Sequence, residues 1–253
     1  MNAKPIFFSV LCAAAAALSF PLRADADFAD PSAPPALVDW EPSSSWSVGL
    51  AYVHRLRPVE ADNGPEWTIA GETYDAFISF AWNWLELRAF GGATQARLKE
   101  FSQKDLDPEA GGGASLALNL WQISPDAESC AWRALLRLEG RGEWRTTSND
   151  AGASLEWFEG FAAMPLYYLL SATRSRRTPD VRDFHALGAY VGPAFSVIDG
   201  RRELGGTKTS FEQSDLYGAA GGVELWLLRN LRFGGRLEYF GDCTWSIDCT
   251  YVF

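Results

Sequence analysis

Only two histidines occur in the 253 residues, His54 and His185, so imidazole chemistry has two places to reside. Asp183-Phe184-His185 puts a carboxylate and an imidazole on one face of an extended segment, an arrangement suited to a general base. Asp105-Leu106-Asp107 offers a second acidic pair at the same period-two spacing. Each pair is a short, common pattern, and the bland reading of His185 is a rim histidine. His54 falls on the apolar side of its segment and reads as an interfacial residue rather than a catalyst. No serine stands with a histidine and an acid at a meaningful spacing, and zinc-ligand spacing is absent. Gly111-Gly112-Gly113 lacks the Lys-Ser/Thr that follows a phosphate loop, and the Gly218–Gly222 run lies within an alternating segment, where close packing or a bend is the expected role. No residue is therefore assigned as catalytic, cofactor-binding or metal-ligating, and no cofactor is expected.

The elements around these residues begin with a secretory leader. Lys4 supplies a positive start, Ile6–Phe20 an apolar stretch, and Ala24-Asp25-Ala26 a small-x-small cleavage site. Residues 1–26 are read as a signal peptide and 27–45, with Pro31, Pro34, Pro35 and Pro42, as a flexible periplasmic tail. The chain carries a formal net charge of -10. Losing the leader removes two cations and one anion, so the mature chain is more acidic still, which argues against nucleic acid as a partner. Cys130, Cys243 and Cys249 then remain, an odd count and a poor disulfide framework. Cys243 and Cys249 lie six residues apart, too far to bridge on one extended strand.

From Trp46 to Phe253 the dominant pattern is period-two alternation. It is clearest at the end, where Cys243, Trp245, Ile247, Cys249, Tyr251 and Phe253 share one face and Thr244, Ser246, Asp248, Thr250 and Val252 the other. The chain stops on Phe253 with Tyr251 two residues before. Here it resembles bacterial outer-membrane β-barrel proteins, whose last strand typically ends in an aromatic residue, usually Phe. The resemblance covers the mature chain by pattern and points to a class, not to one protein. It implies a location in the cell outer membrane, lipid as the surroundings, and recognition of the last strand, ending in Phe253, by the barrel-assembly machinery.

Ten strands are expected, at 46–57, 72–82, 84–98, 112–123, 130–145, 153–169, 183–198, 214–227, 230–240 and 243–253. The fold class is thus all-β: a closed antiparallel up-and-down transmembrane β-barrel over 46–253. An eight-stranded count is the alternative, because 153–169 contains Pro165 and alternates poorly. Most segments reach the 9–11 residues a tilted membrane strand needs, whereas soluble strands are about 5–6 residues long. A soluble sandwich, which also alternates, is the competing architecture. Trp82, Trp84, Trp121, Trp226 and Phe253 would sit at periplasmic strand ends, and Trp144, Trp157 and Trp245 near outer ends, as interface belts. The short Gly241-Asp242 link fits the outer side badly, and the long link 171–182 fits the periplasmic side badly.

The inward set would include Arg55, Arg57, Glu86, Arg88, Arg133, Arg137, Glu139, Arg141, Glu143, Glu224, Arg232, Arg236, Glu238 and Asp248. Interleaved signs with arginine as the cation suit a salt-bridge lattice that fills the lumen. The leading function is a structural or surface-interaction barrel. Its loop 58–71, with Glu60, Asp62, Glu66 and Trp67, would meet an unidentified extracellular ligand, and the Arg174, Arg176, Arg177 and Arg182 cluster would touch anionic lipid or water. A narrow channel for small solutes is the alternative. The second alternative is a surface hydrolase, since the Asp183/His185 and Asp105/Asp107 pairs are similar to those of omptins, the ten-stranded outer-membrane proteases. In that family the pairs meet at the outer rim, whereas the expected strand order puts Asp183 and His185 at the periplasmic end.

Overall fold

The computed structural model describes residues 45–62, 64–82, 84–101, 106–123, 131–150, 152–173, 184–228 and 230–253. The leader, nearly all of the tail, Asp105, Asp183, Cys130 and the Arg174–Arg182 cluster lie outside these residues. No helix among them is long and apolar enough to cross a membrane, which says nothing of strands.

The described chain forms one sheet of twelve strands: β1 (Ser45–Ala61), β2 (Glu66–Trp82), β3 (Leu85–Leu98), β4 (Asp107–Ile123), β5 (Ala131–Ser148), β6 (Ser154–Ala163), β7 (Leu166–Thr173), β8 (Phe184–Leu204), β9 (Thr207–Gln213), β10 (Tyr217–Leu228), β11 (Leu231–Phe240) and β12 (Asp242–Val252). Every pairing is antiparallel. The sheet closes because β10 bonds β8 as well as β11, and β12 bonds β1. Closure satisfies the backbone without leaving an edge strand.

Two pairs of strands are halves of one wall strand, so ten strands make the barrel. β6 and β7 both lie between β5 and β8, divided at Met164–Pro165. Pro165 has no N–H to give a ladder. The wall stays bonded there because the Arg137 amide donates to the Pro165 carbonyl at 3.1 Å and the Met164 amide to the Pro193 carbonyl at 3.0 Å. The poor alternation of 153–169 is thus a broken strand rather than a missing one. β9 and β10 are the second divided strand. β9 passes over the tight β11–β12 turn at Gly241 (φ 78°) to bond β1 at 59–61, which explains how so short a link fits at that end.

Residues 58–71 and 199–213, expected as loops, are paired strand. β1 and β2 continue to Glu60↔Glu66, and β8 and β9 close on Gly205 and Gly206, both at positive φ as a tight hairpin requires. Their composition misleads because the polarity of the faces reverses along each strand. Near the end that carries Ser45 and Phe253 the apolar residues point out: Leu50 is 67% exposed and Val191 66%. Further along the same strands they point in: Val59 and Ile198 are fully buried while Glu60 and Asp199 are exposed. The outward apolar run of β1, from Trp46 to His54, spans about 20–25 Å at the rise and tilt of barrel strands.

Aromatic contacts mark both edges of this band. Trp46 packs on Phe80 at 5.0 Å and Trp132 on Tyr168 at 5.8 Å at the terminal end. Tyr52–Tyr74, Tyr52–Trp245 and His54–Trp245 meet at 5.1, 5.3 and 5.6 Å at the other. His54 is therefore the interfacial residue expected. Trp157 and Trp226 were expected in these belts but are buried inside the barrel, on the inward parity of β6 and β10.

Beyond the band the strands enclose an apolar core: Val59, Ala61, Trp67, Ile69, Ala96, Leu98, Leu106, Ala153, Leu155, Trp157, Ile198 and Phe211, with Phe101 packed against it. Phe211 is its keystone, since β9 holds it across from Trp67 at 6.4 Å and over Gly200, where any Cβ would collide with the ring. Phe211→Ala is expected to cost about 3–5 kcal/mol of stability, read as an earlier midpoint in urea unfolding.

Candidate functional site in the barrel lumen

Below that core the inward positions become charged. β5 alone contributes Arg137, Glu139, Arg141, Glu143 and Arg145 along one row, each sign alternating with the other because a strand returns to the same face every second residue. Facing strands supply partners in register.

The tier next to the core is dry. Arg55 donates to Glu143 at 2.6 Å, and Arg57 to Glu238, with Glu159 at 3.4 Å. Arg145 grips Asp75 through both terminal nitrogens at 2.8 and 2.6 Å and donates its Nε to Glu143 at 2.8 Å. Arg141 bridges Glu159 and Glu238 at 3.1 Å each. Side chains of Arg55, Arg57, Arg145, Glu143, Glu159 and Glu238 are at most 4% exposed. Aromatic faces complete their shell: Arg57 lies over Phe240 at 4.5 Å, Arg141 over Phe161 at 4.8 Å and Arg145 over Phe90 at 5.5 Å. Charges this far from water persist only when paired and hydrogen-bonded. The lattice binds β1, β2, β5, β6 and β11 to one another across the lumen.

The tier nearer the termini is wetter and looser. Glu86 accepts from Arg137 at 2.5 Å and from Arg88 at 3.1 Å, and Glu139 from Arg236 and the Tyr167 hydroxyl at 2.7 Å each. Arg232 sits 3.7 Å from Glu224 and 3.9 Å from Asp248, beyond hydrogen-bond length. These side chains are between 12% (Arg232) and 27% (Asp248) exposed, and they line a cavity of about 180 Å³. At the far rim, above the apolar core, Arg202 lies over Phe101 at 3.6 Å and Trp67 at 5.8 Å. Desolvation there draws its guanidinium below its ordinary range.

The lumen thus brings together the expected inward set; Arg133 lies in β5, but its side chain is outside the described residues. Arg145, Asp75 and Glu159 belong to the same lattice and escaped the sequence reading. Arg145 continues the β5 row by parity and is the last residue of the strand expected at 130–145. Asp75 is flanked by Tyr74 and Ala76, and Glu159 sits in the segment that alternates poorly. His185 begins β8 at the terminal end, whereas Asp107 begins β4 at the opposite end, so the strand order keeps those two candidates apart. Glu60, Asp62 and Glu66 lie on the outside of the β1–β2 hairpin. Trp67, expected on a binding loop, is buried in the core. Cys243 and Cys249 are both free. No group of three metal-ligating side chains occurs among the described residues.

Fold and lumen together define a closed up-and-down β-barrel with a charge-lined interior stoppered at one end. No family model matches the chain, and no curated protein does. Among solved structures it is similar to the β domain of the Bordetella autotransporter BrkA, at 14% identity over 84% of this chain and 99% of that one, with a TM-score of 0.29. It is also similar to the Pseudomonas putida toluene transporter TodX, at 9% identity over 87% and 92%, TM-score 0.25. A third is Pseudomonas aeruginosa OccK11, at 8% over 83% and 95%, TM-score 0.14.

Glu238→Ala removes the closest carboxylate of Arg57 and one of the two that Arg141 bridges, leaving Glu159, at 3.4 and 3.1 Å, as the carboxylate they share. It should cost about 3–5 kcal/mol, whereas Arg201→Ala, which breaks the exposed Arg201–Glu156 pair, should cost about 0–1 kcal/mol. Denaturant unfolding of the two variants side by side measures the difference.

Proposed function

We propose that the protein is a small outer-membrane β-barrel with a structural or surface-interaction role, its end bearing the chain termini facing the periplasm and its apolar-cored end facing outward. The observation that carries this is the reversal of face polarity at one height around the wall. An outward apolar band of membrane thickness needs lipid, and an inward apolar core beyond it needs water outside. A soluble barrel would have the second arrangement throughout.

A non-conducting role follows from the stopper. Val59, Ile69, Leu155, Trp157, Ile198 and Phe211 are each at most 1% exposed across the lumen's far end. A hydrated ion would have to shed its water to pass them and then thread the dry arginine–carboxylate tier. The outer contacts would be made by the polar outside of the projecting hairpins, carrying Glu60, Glu66, Arg201, Glu203 and Lys208.

Folded protein in planar bilayers should give no single-channel steps; discrete, reproducible steps would remove the sealed-barrel reading in favour of a narrow channel. Leu50→Arg places a charge in the outward band and should cost about 2–4 kcal/mol in lipid vesicles. An unchanged folding free energy there would mean that lipid does not meet this face.

A further inference from the structure

A lumen sealed at one end is a pocket at the other. The two tiers of charge differ in how closely Arg232 and its carboxylates are paired. In the dry tier the ion pairs are short and shared. In the tier below, Arg232 holds its two carboxylates only at 3.7 and 3.9 Å and donates instead to the Thr250 hydroxyl at 3.3 Å. No hydrogen bond to Glu224 is present among the described residues.

Glycine lets the groups that border the cavity pack against the wall. A Cβ at Gly234 would run into the Asp248 carboxylate, and one at Gly222 would meet the Tyr190 ring at 2.6 Å. Tyr190 stacks on Tyr167 at 4.4 Å and 19° to form a flat wall beside the carboxylates. The resulting cavity of about 180 Å³ is of the order that holds a benzene-sized guest, about 150 Å³. As many arginines as carboxylates line it, so a guest of net charge would leave one sign unbalanced in a medium of low dielectric.

We propose that this half of the lumen is a binding pocket, entered from the end bearing the chain termini, for a small zwitterion of α-amino-acid size. Its carboxylate takes the Arg232 guanidinium that lines the cavity, its ammonium group lies between Glu224 and Asp248, and its body rests on the Tyr190 face. A cation against that ring gains further from the aromatic quadrupole. The inference rests on the sealed-barrel reading, because a through-channel would have no floor to hold a guest.

The test is isothermal titration of the folded, detergent-solubilised protein with L-serine, L-glutamine and glycine betaine, with acetate and methylammonium as single-charge controls. At least one zwitterion should bind saturably, with the controls weaker by about tenfold or more. Glu224→Gln and Arg232→Gln should each weaken it by about tenfold, while Glu212→Ala, on the exposed outside of β9, leaves it unchanged. Heat-modifiable gel migration checks that each variant is folded; should Arg232→Gln not fold, Glu224→Gln decides alone. Folded protein that binds no zwitterion, binds the controls equally well, or is indifferent to Glu224→Gln would overturn the pocket while leaving the non-conducting barrel standing. Single-channel steps in the bilayer would instead remove the floor on which the pocket depends.

Discussion

The structure depends on one constraint: a closed sheet must satisfy two solvents on each of its faces. Backbone closure removes the edge problem, but it fixes which residues share a face for the whole length of every strand. The chain meets the constraint by reversing its polarity at a common height. In β1 the inward row runs Ser47, Ala51, Arg55, Val59 and the outward row Trp46, Leu50, His54, Glu60. In β8 it runs Ala186, Tyr190, Ser196, Ile198 against Leu187, Val191, Phe195, Asp199. β1 and β8 are therefore each amphipathic twice, with opposite sense.

That double amphipathicity explains both how legible the barrel was and where legibility ended. Apart from 153–169, which Pro165 breaks, the wall strands follow from alternation, because in the band one face is almost wholly apolar and the other polar or charged. The band residues of β12 are the extreme case. The projecting part was read as loops because Glu60, Asp62 and Glu66, or Arg201, Arg202 and Glu203, look like solvated turns when taken apart from their inward neighbours. Nothing local says that Val59 and Trp67 meet Ile198 and Phe211, which are far away in the chain; that is a consequence of β9 crossing to β1. Trp157 was misplaced for the same reason, since a tryptophan at that height reads as a belt residue until the faces are known to have reversed.

The lumen was the more legible part of the site. Its inward charges could be selected by parity, and arginine was the expected cation because its planar fork can serve two carboxylates at once. What parity could not supply was pairing. Glu159 and Asp75 complete the lattice from strands on which they are the lone inward acids, and the division into a dry tier and a loose one appears only when the apolar core above is in place. The same residue types thus do different things at two depths. Arg145 is locked between Asp75 and Glu143, whereas Arg232 stands off its carboxylates at 3.7 and 3.9 Å.

The lattice also bears on how the sheet chooses its register. Neighbouring strands bond equally well after a slip, and the smooth glycine- and alanine-rich stretches of β3 and β4, where Gly91 lies opposite Gly112 and Gly92 opposite Gly111, offer little side-chain resistance. A slip of one residue would turn every inward charge of the moved strand toward the apolar surroundings and every outward leucine into the lumen. Arg57 with Glu238 and Arg55 with Glu143 join strands that are not neighbours, so a slip anywhere between them breaks a contact across the barrel as well as along the wall. Replacing the whole lattice by apolar residues could leave stability unchanged or higher, as buried ion pairs often do. Its contribution on this argument is to make one register far better than the rest, which a greasy lumen, indifferent to which side chain faces which, would not do.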